Sequence, residues 1–492
     1  MKSVLFQKEK VTLLLTSATI FLLTASVVLL VLASSSVTIQ NSGTIAIAHS
    51  TTPECIMVNS TGTYELNSQR QVVFSSTDSL TVWNHAINTV SSSKVSLFVY
   101  NGTYQIRGTI IMLSNVNVIL QDGVFLNETG ANSNLFSFSS ISNASILANT
   151  NATMHGLGTT NDVGNGFDLY YSNNITISSN STAGLKIYNI GNLWLQAENV
   201  NYTVLKNIYA YNWAVGGLYD QAGMIIDGAC NSQIINVTSD GNNTHCRSPL
   251  VLGGQSGPAI NNTIIGGLYE DSPLDNGIYL GGWQYPVLNT LIINVTTANN
   301  TAAGHCGIKM RPATNTTVIN WTSIGDYNGM ELGTTGDSSR ADPVGASYNN
   351  VTGIINSPLN VGLVLSIDYN DADYHVEYNW FNITVNNATQ VAVWVDAPFA
   401  NTTSINNNTI YLTATGSRKQ AIDFANMAGK VSYNTVYGTF VQNGKSGYPD
   451  ISFENTTAQT YNVVNVYSTT GNPNGLYTGN LGTNSVNYPY PH

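Results

Sequence analysis

Charge is scarce in this sequence. Asp, Glu, Lys and Arg together make up 9% of 492 residues, and the formal net charge is −11 at pH 7. No basic patch breaks that pattern, which argues against nucleic acid as a partner. Cysteine is also rare: Cys55, Cys230, Cys246 and Cys306 are the four. None has zinc spacing, because His245-Cys246 and His305-Cys306 are adjacent pairs, and no cofactor is implied. Cys230 and Cys246 could form a disulfide across one turn of the chain, or all could be buried thiols; spacing does not choose. Helical periodicity is confined to the first hundred residues or so. What fills the chain is Asn, Thr, Ser, Gly and Tyr, with about twenty Asn-X-Ser/Thr sequons, a density that suggests an exported surface.

One short phrase recurs through the middle of the chain: QAGMIID (221–227), RSPLVLG (247–253), DNGIYLG (275–281), HCGIKMR (305–311), YNGMELG (327–333) and NVGLVLS (360–366). Its anchors are Gly223, Pro249, Gly277, Gly307, Gly329 and Gly362, roughly 22 to 33 residues apart, and a period of that size signals a solenoid. After each anchor every second residue is apolar, as in Ile278 and Leu280 or Ile308 and Met310. That is a strand with one buried face. A strand once per repeat, with no helix between, implies an all-β parallel β-helix.

Taken in order, residues 1–10 carry Lys2, Lys8 and Lys10 and read as a cytoplasmic N-terminus. Val11 to Ala33 is an uncharged apolar run long enough to span a bilayer. The lysines before it place the rest of the chain outside the cell. The reading favoured here is an uncleaved transmembrane signal anchor over 11–33, so that the membrane is a partner; the competing reading is cleavage near Ala33-Ser34-Ser35 and secretion. Residues 34–76 are a spacer and the start of a cap. At Thr77 or Asp78 an N-cap opens a helix with Leu80, Trp83, Ile87 and Val90 on one face. Alternating strands separated by Asn-Gly and Ser-Asn turns follow over 96–126.

The helix ending in AIN (86–88), the run into NGTY (101–104) and GTIIMLSNVNVIL (108–120) resemble the N-terminal cap and first coils of the pectate-lyase-like, right-handed parallel β-helix superfamily, which includes polygalacturonase-like and epimerase-like members. The resemblance implies a single-stranded right-handed solenoid over 77–470, closed by the capping helix, and an activity on polysaccharide. A second, Asn-led strand phrase alternates with the first: NNTIIGG (261–267), LNTLIIN (288–294), TNTTVIN (314–320), NNNTIYL (406–412), YNTVYGT (433–439). Asparagines at equivalent turns can bond along the stack as a ladder. About eleven or twelve coils are expected. The segment 471–492 reads as a polar tail without a periodic core.

If the anchors align, outward residues fall into columns. Two before the anchor stand Gln221, Arg247, Asp275, His305, Tyr327 and Asn360. Two after stand Ile225, Val251, Tyr279, Lys309, Glu331 and Val364. Four after stand Asp227, Gly253, Gly281, Arg311, Gly333 and Ser366. In a chain so poor in charge, this clustering marks a candidate site: Arg247, Asp275, His305, Tyr327, Lys309 and Glu331 for catalysis, with Asp227, Tyr279 and Arg311 for binding. Trp194, Trp283 and Trp394 are candidate sugar platforms.

For a uronic acid polymer, Arg247, Lys309 or Arg311 would neutralise the carboxylate, with His305 and Tyr327 as base and acid in either order. That is lyase or C5-epimerase chemistry. A glycosidase needs two carboxylates, and the available pairs are Asp275 with Asp227 or Asp275 with Glu331. A calcium site would draw on Asp227, Asp271 and Asp275, and a loop metal site on Asp368, Asp371 and Asp373. The segment GHCGIKMR (304–311) looks like a fusion of the GHG and RIK motifs of polygalacturonase-like enzymes, but their NTD and DD motifs are absent. Arg311-Pro312 and Arg247-Ser248-Pro249 are fragments of the pectate-lyase arginine motif. A non-catalytic glycan-binding surface rod is the alternative from another class.

Overall fold

The computed structural model describes residues 54–159, 162–217, 222–242, 244–253, 255–281, 285–333, 345–367, 375–397, 404–425, 430–445, 447–454, 459–479 and 481–488. Among them no helix is long and apolar enough to cross a membrane. The proposed anchor over 11–33, Gln221, Trp283 and the Asp368, Asp371 and Asp373 loop lie outside the described residues.

Apolar residues at every second position, with nothing helical between, leave the strands one way to bury their faces, by stacking on copies of themselves. They form three sheets of 24, 14 and 8 strands, parallel except where Glu54–Asn59, Gly62–Leu66 and Val72–Ser76 pair antiparallel at the N-terminal end, wound into a right-handed solenoid. The 14-strand sheet carries the glycine-anchored phrase. Its successive strands are Leu195–Glu198, Met224–Asp227, Leu250–Gly253, Ile278–Gly281, Cys306–Arg311, Asn328–Leu332, Leu363–Ser366, Val393–Asp396 and Ile422–Ala425. Their inward residues form unbroken columns: Met224, Leu250, Ile278, Ile308, Met330 and Leu363 make one, and Ile226, Leu252, Leu280, Met310, Leu332 and Leu365 the next. All are buried, each contributing about 1.5–3 kcal/mol. The anchor glycines sit where the coil turns against its neighbour: a Cβ at Gly307 would stand 2.3 Å from Asp326 Oδ2 and 2.4 Å from Thr297 Oγ1.

The cap is as the periodicity implies. Its helix spans Ser79–Ser93, Asp78 is the N-cap and accepts from Leu80 N at 3.2 Å, and Lys94 ends it in the left-handed region. Val82, Trp83, Ala86, Ile87 and Val90 are its buried face, and Trp83 packs edge-on against Tyr104 and Phe136. Before it, Glu54–Asn59 already pairs in parallel with Ser96–Val99. At the other end the segment read as a tail keeps stacking: Tyr477–Gly479 pairs with Ile451–Phe453, and Ser485–Asn487 with Val463–Thr470. The coil pattern therefore runs past residue 470. The cysteines are free thiols; Cys246 Sγ contacts Trp213 O and Cys230 Sγ contacts Pro258 O.

One corner of the coil is invariant. Between each strand of the 8-strand sheet and the next strand of the 24-strand sheet lie two residues: 261–262, 289–290, 315–316, 348–349, 378–379, 407–408, 433–434 and 461–462. The first has positive φ and is Asn or Tyr throughout, Asn being the residue that tolerates this region best. The second points inward and is Asn or Thr. From Asn349 through Asn379, Asn408, Asn434 and Asn462 to Asn484 the inward asparagines form a buried ladder. Each side-chain carbonyl accepts the backbone N–H and the amide of the asparagine before it, at 2.9–3.1 Å. The amides of Asn349, Asn379, Asn408, Asn434 and Asn462 also donate to a backbone carbonyl, as Asn408 does to Val376 O at 2.8 Å. The opposite corner, between the 14-strand and 8-strand sheets, varies: Pro312 alone separates Arg311 from Ala313, whereas residues 333–345 separate Leu332 from Ala346.

Two predictions follow from these interiors. Asn408→Ala leaves Asn379 N, Asn379 Nδ2 and Val376 O without their partner in a dry site. At about 1–3 kcal/mol for each buried group left unsatisfied, the unfolding free energy falls by roughly 3 kcal/mol or more in a denaturant titration, while Asn261→Ala on the exposed face changes it by less than about 1 kcal/mol. Burial also raises the carboxyls of Glu128 (to about 8), Asp240 (about 6), Glu270 (about 7), Asp326 (about 6) and Asp423 (about 7), helped in all but Asp326 by a neighbouring carboxylate. Each group binds its proton more tightly folded than unfolded, so stability is greatest below the ordinary carboxylate range and is lost as pH rises towards those values. Scanning calorimetry is expected to give a higher Tm near about pH 5 than near about pH 8.

Candidate functional site

The strand pairing aligns the column two after the anchors as the anchor alignment predicts. Ile225, Val251, Tyr279, Lys309, Glu331, Val364, Trp394 and Asp423 are register partners in succession. Gly281 pairs with Arg311 in the adjacent column, and Ser366 with Asp396. At a strand spacing of ~4.8 Å, neighbours in a column reach one another.

A groove of about 490 Å³ opens on this face. Arg247, Asp275, His305, Lys309, Arg311, Asp227 and Tyr279 line it, together with Ala222, Ile225, Ser248, Val251, Gly253, Gln255, Asn276 and Gly281. Glycine is required at Gly281 of its floor, where a Cβ would fall 1.9 Å from Arg311 O, and at Gly333 a Cβ would crowd the Arg311 side chain at 2.9 Å. Bare backbone above and below Arg311 gives its guanidinium room to lie along the floor.

His305 Nδ1 lies 2.8 Å from Asp275 Oδ1, with the side chains 34% and 23% exposed. The two atoms are close without the alignment of a hydrogen bond. Asp275 Oδ1 also accepts from Asn276 N at 2.9 Å. Beneath the floor, Glu331 is 4% exposed. Lys309 Nζ stands 3.3 Å from its Oε2, Arg311 closes on its Oε1, and Cys306 Sγ donates to Oε2 at 3.3 Å. Burial pushes the Cys306 thiol up to about 11, against the pull of Lys309 and Arg311, so it stays protonated as a donor to Glu331. Asp227 is 7% exposed, and its two oxygens accept backbone N–H groups from Gln255 and Ser256 at 2.5 and 2.8 Å.

Several expectations are corrected. Lys309 and Glu331 do not stand out from the sheet but are buried against it, because two cations and a thiol surround one carboxylate. Tyr327 stays next to His305 in the stack, since Asn328 N donates to His305 O at 3.0 Å, but it is not among the groove residues; Tyr279 is the groove phenol. Trp194 is fully buried, with Nε1 donating to Ser239 Oγ at 3.1 Å, so it is core and no sugar platform. Trp394 is half-buried in the outward column, outside the groove. Asp227, Asp271 and Asp275 do not converge, and among the described residues no three His, Cys, Asp or Glu side chains are placed to hold a metal.

Sequence reasoning missed Asn276, whose Oδ1 accepts Cys306 N at 2.8 Å and fixes the start of that strand. It also missed Cys306 as a carboxylate partner. A further acidic point on the same face went unnoticed: Asp423, 7% exposed, is register partner to Trp394, and burial with the nearby Glu454 carboxylate raises it to about 7. The column rule names Asp423 once the phrase is extended past Asp368.

Replacing Glu331 tests the floor. Removing one partner of a buried ion pair costs about 3–5 kcal/mol. Glu331→Ala is expected to lower stability by that amount in denaturant unfolding, and Asp275→Ala, at the more exposed contact, by far less.

No family model and no curated protein matches this chain. Solved structures that resemble it include the tailspike protein of E. coli bacteriophage HK620 in complex with a hexasaccharide (14% identity, 83% of this chain and 76% of that one, TM-score 0.49). Two others are the catalytic unit of a GH87 α-1,3-glucanase from Streptomyces thermodiastaticus (14%, 78% and 67%, 0.49) and a surface adhesin of Streptococcus pneumoniae (13%, 69% and 87%, 0.48). Likeness at this level bears on neither activity nor ligand. The stacked parallel strands and the N-terminal cap helix give the chain a parallel β-helix architecture.

Proposed function

We propose that this groove acts on an anionic polysaccharide, by lyase or C5-epimerase chemistry at a uronic acid unit. One observation carries the reading. Both carboxylates that could partner Asp275 in hydrolysis are already engaged, Glu331 by Lys309 and Arg311 and Asp227 by two backbone amides. These partnerships compete with attack on an anomeric carbon or activation of water, the roles a glycosidase requires. The Asp275–His305 contact instead faces the groove beside Arg247 and Arg311.

In this reading Asp275 holds His305 by Nδ1, which turns Nε2 towards substrate as the base for the C5 proton. Arg247 takes the substrate carboxylate, and Arg311, held in place by Glu331, adds its field as charge develops while the proton leaves. Tyr279 delivers a proton to the departing O4 in a lyase, or to the opposite face of C5 in an epimerase. The setting we propose is the cell exterior, with residues 11–33 as anchor. Fractionation of the full chain against one starting at residue 34 tests it, since a soluble full chain is incompatible with an anchor.

A glycan-binding rod without chemistry is a second reading. It is favoured by exposed tyrosines that stack along one corner, Tyr348 on Tyr378 at 5.1 Å and Tyr433 on Tyr461 at 5.3 Å.

The test is incubation with uronic acid-containing and neutral polysaccharides. The expected result is either ultraviolet absorbance from an unsaturated uronate or solvent deuterium at C5. Either signal falls by about 10²–10⁴ in His305→Ala. New reducing ends without unsaturation would move the assignment to hydrolysis, and glycan binding with no turnover would move it to the rod.

A further inference from the structure

The coil itself explains most of the sequons. Asn174, Asn261, Asn315 and Asn320 each have positive φ, in a turn or at the irregular place of a strand, followed by a residue and then an outward Thr. Their amides donate along the stack to Asn143, Asn231, Asn289 and Asn294 at 2.7–3.3 Å. Turn grammar writes Asn-X-Thr at these places whether or not sugar is ever attached.

Asn382 is different. It lies inside the strand Trp380–Asn386, outside the positive-φ turns, and its side chain is exposed while Phe381 and Ile383 on either side are buried. Trp380, two residues earlier, shares its outer face. Its register partner on the next coil is Tyr411, whose own partner is Tyr437. These rings make a continuous row: Trp380 to Tyr411 at 5.7 Å, Tyr411 to Tyr437 at 4.8 Å and nearly parallel, and Tyr437 to Tyr467 at 6.0 Å. On the preceding coil the partner of Asn382 is Thr352. An amide nitrogen thus stands at the head of an aromatic row, within the triplet Asn382-Ile383-Thr384.

We propose that Asn382 is N-glycosylated and that its first sugar lies against Trp380 and Tyr411. The bond joins Asn382 Nδ2 to the anomeric carbon of a sugar delivered on a polyprenyl phosphate carrier. The carrier phosphate leaves, and the amide gives up one proton. The aromatic faces then take the apolar C–H side of the pyranose, covering rings that the sheet leaves half-open. The inference requires export of the chain and is independent of the catalytic reading.

The test is glycopeptide mass spectrometry on the full chain purified from its source cells, followed by melting of variants. A peptide containing Asn382 that carries a glycan is expected. The glycosylated protein should melt above Asn382→Gln and Thr384→Ala alike, and that difference should vanish when Trp380→Ala is added. A bare Asn382 overturns this inference, whether or not another sequon carries a glycan. A glycan whose effect on Tm is the same with and without Trp380 overturns the stacking.

Discussion

The register of stacked strands is the constraint on which everything else in this molecule depends. Parallel pairing fixes each residue against its counterpart one coil away, so a side chain's surroundings are decided mainly by what stands at the same place in the next repeat. A slip of one residue would turn every apolar column outward. The buried asparagines oppose such a slip. Asn379, Asn408, Asn434 and Asn462 each accept two bonds from the asparagine before and give the amide to a backbone carbonyl, a geometry available only when the coils are aligned. Apolar side chains supply most of the driving force, and the asparagines supply alignment, since a displaced amide in a dry corner has no substitute partner.

That alignment is what builds the groove. Lys309, Glu331 and Arg311 come from two strands and two columns, and they meet because the coils are in step. Burying Glu331 is costly in isolation. Its role here is to hold two cations at fixed positions under an open glycine floor. The result is a fixed cluster of Lys309, Glu331 and Arg311 at the groove, with the Asp275–His305 contact nearby.

The strand columns and the cap were legible in the sequence because period-2 alternation and helical periodicity are local patterns. The members of the site were legible because titratable groups are so rare that their coincidence at one spacing stands out. What the sequence did not reveal was depth. Lys309 and Glu331 share the outward parity of Tyr279, and nothing local says that they are buried where Tyr279 is only half-buried. That depends on mutual neutralisation across coils. Trp194 misled for a related reason: an indole with a buried hydroxyl partner and an indole with a sugar partner look alike in one dimension. The engagement of Asp227 by the amides of Gln255 and Ser256 depends on loop geometry after a different strand, and no pattern at Asp227 itself encodes it.

The two corners of the coil have different freedoms. The corner with the asparagine ladder always spans two residues, whereas the corner that follows the 14-strand sheet ranges from Pro312 alone to residues 333–345. Closing a longer loop adds little entropic cost, and an insertion there leaves the ladder and the core columns in step. The variable corner borders the groove. Chain length at the rim can therefore drift through evolution without endangering the fold, so the surroundings of the site can diverge from one lineage to the next while the stack beneath stays the same.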